Sequence, residues 1–131
     1  MEADQQLRFA AQLQQAGCVF ALEEADLLLR GASSASEAES LLRRRLTGEP
    51  LEYVLGWAEF LGRRVHVYPG VFIPRRRTEF LAAAALESAN RRNAPVILDL
   101  CCGSGALSTV FAAAIPQVEL HAADLAPEAV A

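Results

Sequence analysis

The sequence contains no lysine. All 12 basic residues are arginine, and 16 acidic residues give the chain a net charge of −4. A large electrostatic footprint on nucleic acid needs a surplus of positive charge, so this balance argues against one. We expect no direct nucleic-acid partner.

Cysteine and histidine are also scarce. Of the three cysteines, Cys101 and Cys102 are adjacent, and the two histidines, His66 and His121, lie far apart. An odd cysteine count predicts no disulfide framework, and the absence of a C-x-x-C pair predicts no zinc site. We expect no metal, and free thiols in a reducing compartment.

Long hydrophobic runs are missing as well. No stretch approaches the roughly 18 to 20 apolar residues that cross a bilayer. The opening residues 1–4 are polar and acidic, unlike a secretory or transit peptide. With 53% apolar and 21% charged residues the chain can form a packed core. These features predict a soluble cytoplasmic protein without a membrane partner.

Three helices are predicted for residues 1–48, each an apolar pattern at helical spacing that ends at a glycine. The glycines are Gly17, Gly31 and Gly48. Ser36 is expected to cap the third helix, with Glu39 completing a capping box. This segment is interpreted as a helical domain.

Three consecutive arginines occupy positions 43–45, near the end of the third predicted helix. Cations are favoured at helix C-termini, so the run is interpreted as a solvated helix face. The alternative is a basic patch for an acidic partner.

The sequence pattern of residues 49–77 differs from that of the helical segment before them. Residues 51–55 predict a short helix that ends at Gly56. Alternating side chains predict a β-hairpin with strands 57–60 and 65–68 around a loop at 61–64, with His66 on its exposed face. This segment is interpreted as a linker.

Residues 78–131 read as an α/β unit. Thr78 is expected to cap a long helix that ends within residues 88–93, and the apolar run 95–100 predicts a buried parallel strand. A glycine loop, a helix over 106–115, a strand over 118–123 and a helix that begins near Pro127 follow. Because two parallel strands are not stable alone, we expect an incomplete, truncated sheet.

Two carboxylates flank the glycine loop at the predicted carboxyl ends of the strands, where doubly wound sheets bind ligands. Asp99 ends the first strand, and Asp124 stands 19 residues after Gly105, at the spacing of a ribose-binding acid. A carboxylate at Asp99 repels a pyrophosphate but suits an ammonium group, which favours S-adenosylmethionine. Dinucleotide binding and a glycine loop without a ligand remain alternatives.

Specific motifs resemble the protein-(glutamine-N5) methyltransferases that modify peptide-chain release factors. They are residues 56–62 (GWAEFLG), residues 69–75 (PGVFIPR), the pair Thr78 and Glu79, and residues 99–105 (DLCCGSG). Residues 75–81 (RRRTEFL) and 99–103 (DLCCG) resemble a related branch of N5-glutamine methyltransferases. The resemblance implies a substrate-recognition domain over 1–48, a linker over 49–77 and the start of a Rossmann-like class I methyltransferase domain over 78–131.

The resemblance also implies roles for individual residues. The cofactor is S-adenosylmethionine, with Asp99 near its amino group, Asp124 on its ribose and Leu125 beside its adenine. Phe72 and Pro74 wall the methyl-transfer pocket, while Arg75 and Glu79 fix the linker. The loop that wraps the methionine portion comprises Cys101, Cys102, Gly103, Ser104 and Gly105.

Two departures from the family pattern matter. Cys101 stands where the family usually has glycine, and its thiol is expected to be inert. The Asn-Pro-Pro-Tyr motif that grips the substrate glutamine does not occur in these 131 residues. We therefore expect no catalytic residue here, with weak or no cofactor binding and no turnover by these residues alone.

The complete enzyme is expected to be a monomer that methylates a glutamine-containing loop of a release factor-like protein. Three alternatives stay open: a methyltransferase for a nucleic-acid base, one for a small molecule, and a non-catalytic helical binding module.

Overall fold

The computed structural model describes residues 2–131, and the chain divides into two compact units, Met1–Gly56 and Trp57–Ala131. The first unit is all helical. Its helices are α1 (Glu2–Gln15), α2 (Ala21–Gly31), α3 (Ala35–Leu46) and α4 (Leu51–Leu55). The four helices predicted for this region are confirmed, and each contributes apolar side chains to one core. The buried core residues are Phe9, Ala10, Leu13, Ala25, Leu28, Ala38, Leu42 and Val54.

Helix α3 begins earlier than predicted. Ser34 is its N-cap and accepts a hydrogen bond from the Glu37 backbone N–H at 3.2 Å. The Glu37 carboxylate accepts one from the Ser33 backbone N–H at 2.7 Å. The predicted Ser36–Glu39 capping box is therefore wrong, because the serine–glutamate pair two residues earlier, at the same spacing, caps the helix.

Two of the three arginines at 43–45 pair with acidic residues of their own unit. Arg44 donates two hydrogen bonds to the Glu49 carboxylate, at 2.9 and 2.5 Å. Arg45 donates to the Glu24 carboxylate at 2.7 Å, and its side chain is only 20% exposed. The interpretation as a solvated face holds for Arg43 and is wrong for Arg45.

The second unit opens with a two-stranded antiparallel hairpin, β1 (Trp57–Phe60) and β2 (Arg63–His66). Phe60 lies opposite Arg63, so the turn contains only Leu61 and Gly62. The predicted four-residue loop and the second strand at 65–68 are wrong. The exposed position of His66 is confirmed. The guanidinium carbon of Arg64 lies 4.0 Å from the centre of the Trp57 ring.

The remainder of the second unit contains α5 (Thr78–Asn90), β3 (Val96–Leu100), α6 (Ala106–Ala114), β4 (Glu119–Ala123) and α7 (Pro127–Val130). Strands β3 and β4 pair in parallel, and α6 connects them. The predicted strand–helix–strand order is confirmed, and this mixture fits the α/β class. Thr78 is the first residue of α5 rather than its cap.

Strand β3 is not buried as predicted. Asp99 and the half-buried Ile97 face the covered side, but Val96, Leu98 and Leu100 are 66%, 62% and 70% exposed. Side chains alternate along a strand, so these three lie on one face, which is open to solvent in residues 2–131. The prediction assumed cover on both faces. None of the described helices is both long and apolar enough to span a bilayer.

Candidate cofactor-binding site

The loop at residues 101–105 joins the end of β3 to α6. Its path is tightly curved, because Cys101, Gly103 and Gly105 all have positive φ angles, of 59°, 53° and 76°. The Cys102 backbone N–H donates to the Ala123 carbonyl at 3.0 Å, so the loop lies at the carboxyl end of β4 as well. The structure therefore places the loop where a doubly wound sheet binds its ligand.

Cys101 has a φ of 59° where the resembled family usually has glycine. A residue with a Cβ atom is strained by about 1 kcal/mol or more in this left-handed conformation. The backbone conformation shows why glycine suits it better.

Asp99 is the buried acid of the site, with only 6% of its surface exposed. Its Oδ2 accepts hydrogen bonds from the Ser108 hydroxyl at 2.6 Å and from the Ser108 backbone N–H at 3.2 Å. Gly105 occupies the N-cap position of α6 and has no side chain that could accept from the helix. Asp99 therefore supplies the acceptor that a capping side chain normally provides.

Ser108 was not predicted from the sequence as part of this site. The only available signal was a hydroxyl residue in the first turn of the helix that follows the glycine loop.

Asp124 lies on the other side of the loop. One carboxylate oxygen accepts from the Gly103 backbone N–H and the other from the Ala126 backbone N–H, both at 2.8 Å. These hydrogen bonds, first that from Ala126 and then that from Gly103, lower the pKa of Asp124 below its usual range. Asp124 is thus a fixed, negatively charged group at the loop, and the neighbouring Leu125 side chain is fully exposed.

The two predicted pocket residues come from the segment that precedes α5. Phe72 lies beside the loop: a Cβ atom added to Gly103 would be 3.9 Å from the Phe72 Cβ and carbonyl oxygen. Phe72 is 64% exposed, and the Arg75 guanidinium carbon lies 5.5 Å from the centre of its ring. Pro74, two residues further on, is half-buried.

The same segment is held at both ends. The Tyr68 hydroxyl donates to the backbone carbonyl of Glu128 in α7. The Glu79 carboxylate accepts from the Leu61 backbone N–H at 3.1 Å, which joins α5 to the hairpin turn. The two ends of residues 68–79 are thus tied to other elements of the unit that carries the loop.

Cys102 is not placed to react as a thiolate. Burial raises the pKa of its thiol, and the nearby carboxylates of Asp99 and Asp124 raise it further. The thiol is therefore protonated at neutral pH. Within residues 2–131, no group of three or more histidine, cysteine, aspartate or glutamate side chains could hold a metal ion.

Comparison with known proteins identifies the family. No family model matches the chain. The chain is 46% identical over 91 residues to the release factor glutamine methyltransferase of Bordetella pertussis, which covers 70% of this chain. It is 37% identical over 116 residues to the release factor glutamine methyltransferase of Deinococcus radiodurans, which covers 85% of this chain.

The chain belongs to the release factor glutamine methyltransferase family. It spans about a third of the length of the curated relatives that it matches, 34% of the Bordetella protein and 42% of the Deinococcus protein.

One similar protein carries a different name. The 4-amino-L-phenylalanine/4-methylamino-L-phenylalanine methyltransferase of Streptomyces pristinaespiralis is 40% identical over 93 residues. The match covers 67% of this chain and 32% of that protein. Curated proteins that share the matched segment are therefore named for different methyl acceptors. Similarity over this segment does not by itself identify the acceptor.

Proposed function

We propose that this chain forms the S-adenosylmethionine-binding part of an enzyme that methylates the side-chain amide of a protein glutamine, as in a peptide-chain release factor. The observation that carries the proposal is the placement of Asp99 and Asp124 on either side of the small-residue loop at 101–105, in a chain of this family. Residues 95–126 would then be the opening strand–helix–strand unit of a Rossmann-like class I methyltransferase fold.

The residues around the loop fit this cofactor. Asp99 is a buried carboxylate that suits the ammonium group of the methionine portion. Each Asp124 oxygen accepts one N–H and has a second lone pair for a ribose hydroxyl. The exposed Leu125 side chain offers apolar surface for the adenine. The exposed Phe72 side chain, with Pro74 nearby in the chain, offers apolar surface for the methyl-transfer pocket.

When bound, the cofactor would supply an electrophilic methyl group: the acceptor nitrogen would bond to the methyl carbon as the carbon–sulfur bond breaks, with release of S-adenosylhomocysteine and of one proton from the nitrogen. An amide nitrogen is a poor nucleophile, because its lone pair is delocalised into the carbonyl. The contribution of residues 99–125 is therefore positioning: they hold the cofactor in one orientation so that the methyl group faces the acceptor. Recognition of the protein substrate falls to the helical segment at residues 1–48.

The test uses the protein encoded by the complete reading frame that contains these residues. Calorimetry should show binding of S-adenosylmethionine and none of NAD. Mass spectrometry of a release factor incubated with protein and cofactor should then show one methyl group on a glutamine.

The similar Streptomyces protein supplies the competing acceptor class, an aromatic amine. A parallel incubation with 4-amino-L-phenylalanine separates the two. If 4-amino-L-phenylalanine is methylated and the release factor is not, the aromatic amine replaces the glutamine amide as the acceptor. Binding of NAD in place of S-adenosylmethionine would overturn the proposal altogether.

A further inference from the structure

Both hydrogen bonds from Ser108 reach the same oxygen of Asp99. The hydroxyl and the backbone N–H donate to Oδ2, at 2.6 and 3.2 Å. Two donors on one oxygen fix the rotation of the carboxylate group, because any turn about its bond to Cβ would break the shorter contact. The orientation of Asp99 is thus determined by a residue in α6.

The second oxygen of Asp99, Oδ1, accepts no hydrogen bond within residues 2–131. No fully buried side-chain oxygen or nitrogen in the described chain lacks a hydrogen-bond partner. Oδ1 therefore retains contact with solvent, although Asp99 is only 6% exposed. A buried carboxylate that turns one free oxygen outward can accept a charged hydrogen bond from a ligand.

We propose that Ser108 is a positioning residue for the cofactor: it holds the Asp99 carboxylate so that Oδ1 receives the ammonium group of S-adenosylmethionine. This inference rests on the proposed function, since it assumes that cofactor at this loop. Ser108 acts through Asp99 and does not itself touch the cofactor.

The sharpest test compares two ligands that differ in the amino acid portion, which carries the ammonium group. S-adenosylhomocysteine carries the amino acid portion, whereas methylthioadenosine keeps the adenosine and the sulfur without it. In the protein from the complete reading frame, Ser108→Ala should weaken S-adenosylhomocysteine binding about tenfold, which corresponds to about 1.4 kcal/mol. The affinity for methylthioadenosine should be unchanged, because that ligand makes no use of Oδ1.

Two further variants complete the design. Ser108→Thr keeps a hydroxyl at the same position and should restore S-adenosylhomocysteine binding to within about twofold. Thr109→Ala removes the neighbouring hydroxyl, which donates to the Gly105 carbonyl at 2.8 Å and not to Asp99. This control should leave the preference between the two ligands unchanged.

The possible results distinguish a failure of the role assigned to Ser108 from a failure of the proposed function. If Ser108→Ala binds S-adenosylhomocysteine as the unmodified protein does, or if both ligands weaken equally, the positioning role of Ser108 is wrong and the proposed function stands. If the unmodified protein binds neither ligand, the proposed function fails, and the inference fails with it.

Discussion

Arg45 of α3 and Glu24 of α2 form an ion pair with a nitrogen–oxygen distance of 2.7 Å, and their side chains are only 20% and 13% exposed. Arg45 also donates to the Glu49 carbonyl at 3.2 Å, in the connection between α3 and α4. The pair raises the pKa of Arg45, first through the hydrogen bond to Glu24. One side chain therefore joins three parts of the helical unit.

We predict that Arg45→Met destabilises the chain by about 1–3 kcal/mol, because it leaves the partly buried Glu24 carboxylate without its partner. The matched control is Arg43→Met, which changes an exposed arginine of the same run and should stay within about 0.5 kcal/mol of the unmodified chain. Urea unfolding followed by helical circular dichroism measures both. Equal effects of the two variants would contradict the role assigned to Arg45.

The hairpin turn predicts a stabilising substitution. Leu61 and Gly62 both have positive φ, 47° and 71°, as in a type I′ turn, which favours asparagine followed by glycine. Leu61→Asn should raise the free energy of unfolding by about 0.5–1 kcal/mol, because asparagine tolerates the left-handed conformation. The Leu61 N–H that donates to Glu79 belongs to the backbone and is retained.

Leu61→Ala is the control for the hairpin turn. It shortens the side chain but lacks the short polar group with which asparagine can hydrogen-bond locally in the left-handed conformation, so no gain is expected from it. A gain as large as that of Leu61→Asn would show that side-chain exposure, and not backbone strain, is the cause.

A substitution at Cys101 tests the cost of left-handed backbone strain within the candidate site. Cys101→Gly removes the left-handed strain of about 1–2 kcal/mol and adds a chain-entropy cost of about 0.5–1 kcal/mol. The expected net gain is about 0.5–1 kcal/mol in the free energy of unfolding by urea. Cys101→Ala keeps a Cβ atom and should be neutral. A destabilised Cys101→Gly variant would mean that the thiol makes a packing contribution larger than the strain.

The hydrogen bonds of Asp124 predict a pH dependence of stability. They lower its pKa in the folded protein below the unfolded value of about 3.9. The contribution is therefore complete above about pH 4 and is lost as the pH falls through the folded pKa. The gap in unfolding free energy between the unmodified chain and Asp124→Asn should be larger at pH 7 than at pH 3. A gap independent of pH would contradict the hydrogen bonding of an ionised Asp124.

Glycines and acidic strand ends made much of this structure predictable. Gly56 has a φ of 80° and ends α4 at the predicted residue, as the left-handed preference of glycine implies. Asp99 and Asp124 were expected at the ends of neighbouring parallel strands. Such ends meet at one edge of a sheet, and both carboxylates lie at the loop.

The wrong predictions share a physical cause: the local sequence pattern was compatible with more than one structure at each of these places. Residues 33–39 contain two serine–glutamate pairs at capping spacing, and local sequence does not decide between them. Leucine is unusual at a left-handed turn position, so the two-residue turn at Leu61 was not recognised. The open face of β3 depends on which elements pack over it, which an apolar run cannot reveal.

The contact between Trp57 and Arg64 makes the hairpin visible to spectroscopy. Trp57 is the sole tryptophan of the chain, and its ring lies 4.0 Å from the Arg64 guanidinium carbon. Selective excitation of the indole therefore samples the β1–β2 environment alone, while the far-ultraviolet signal is shared among the helices. Emission and ellipticity recorded on one sample would report whether the hairpin and the helical unit melt together or in separate steps.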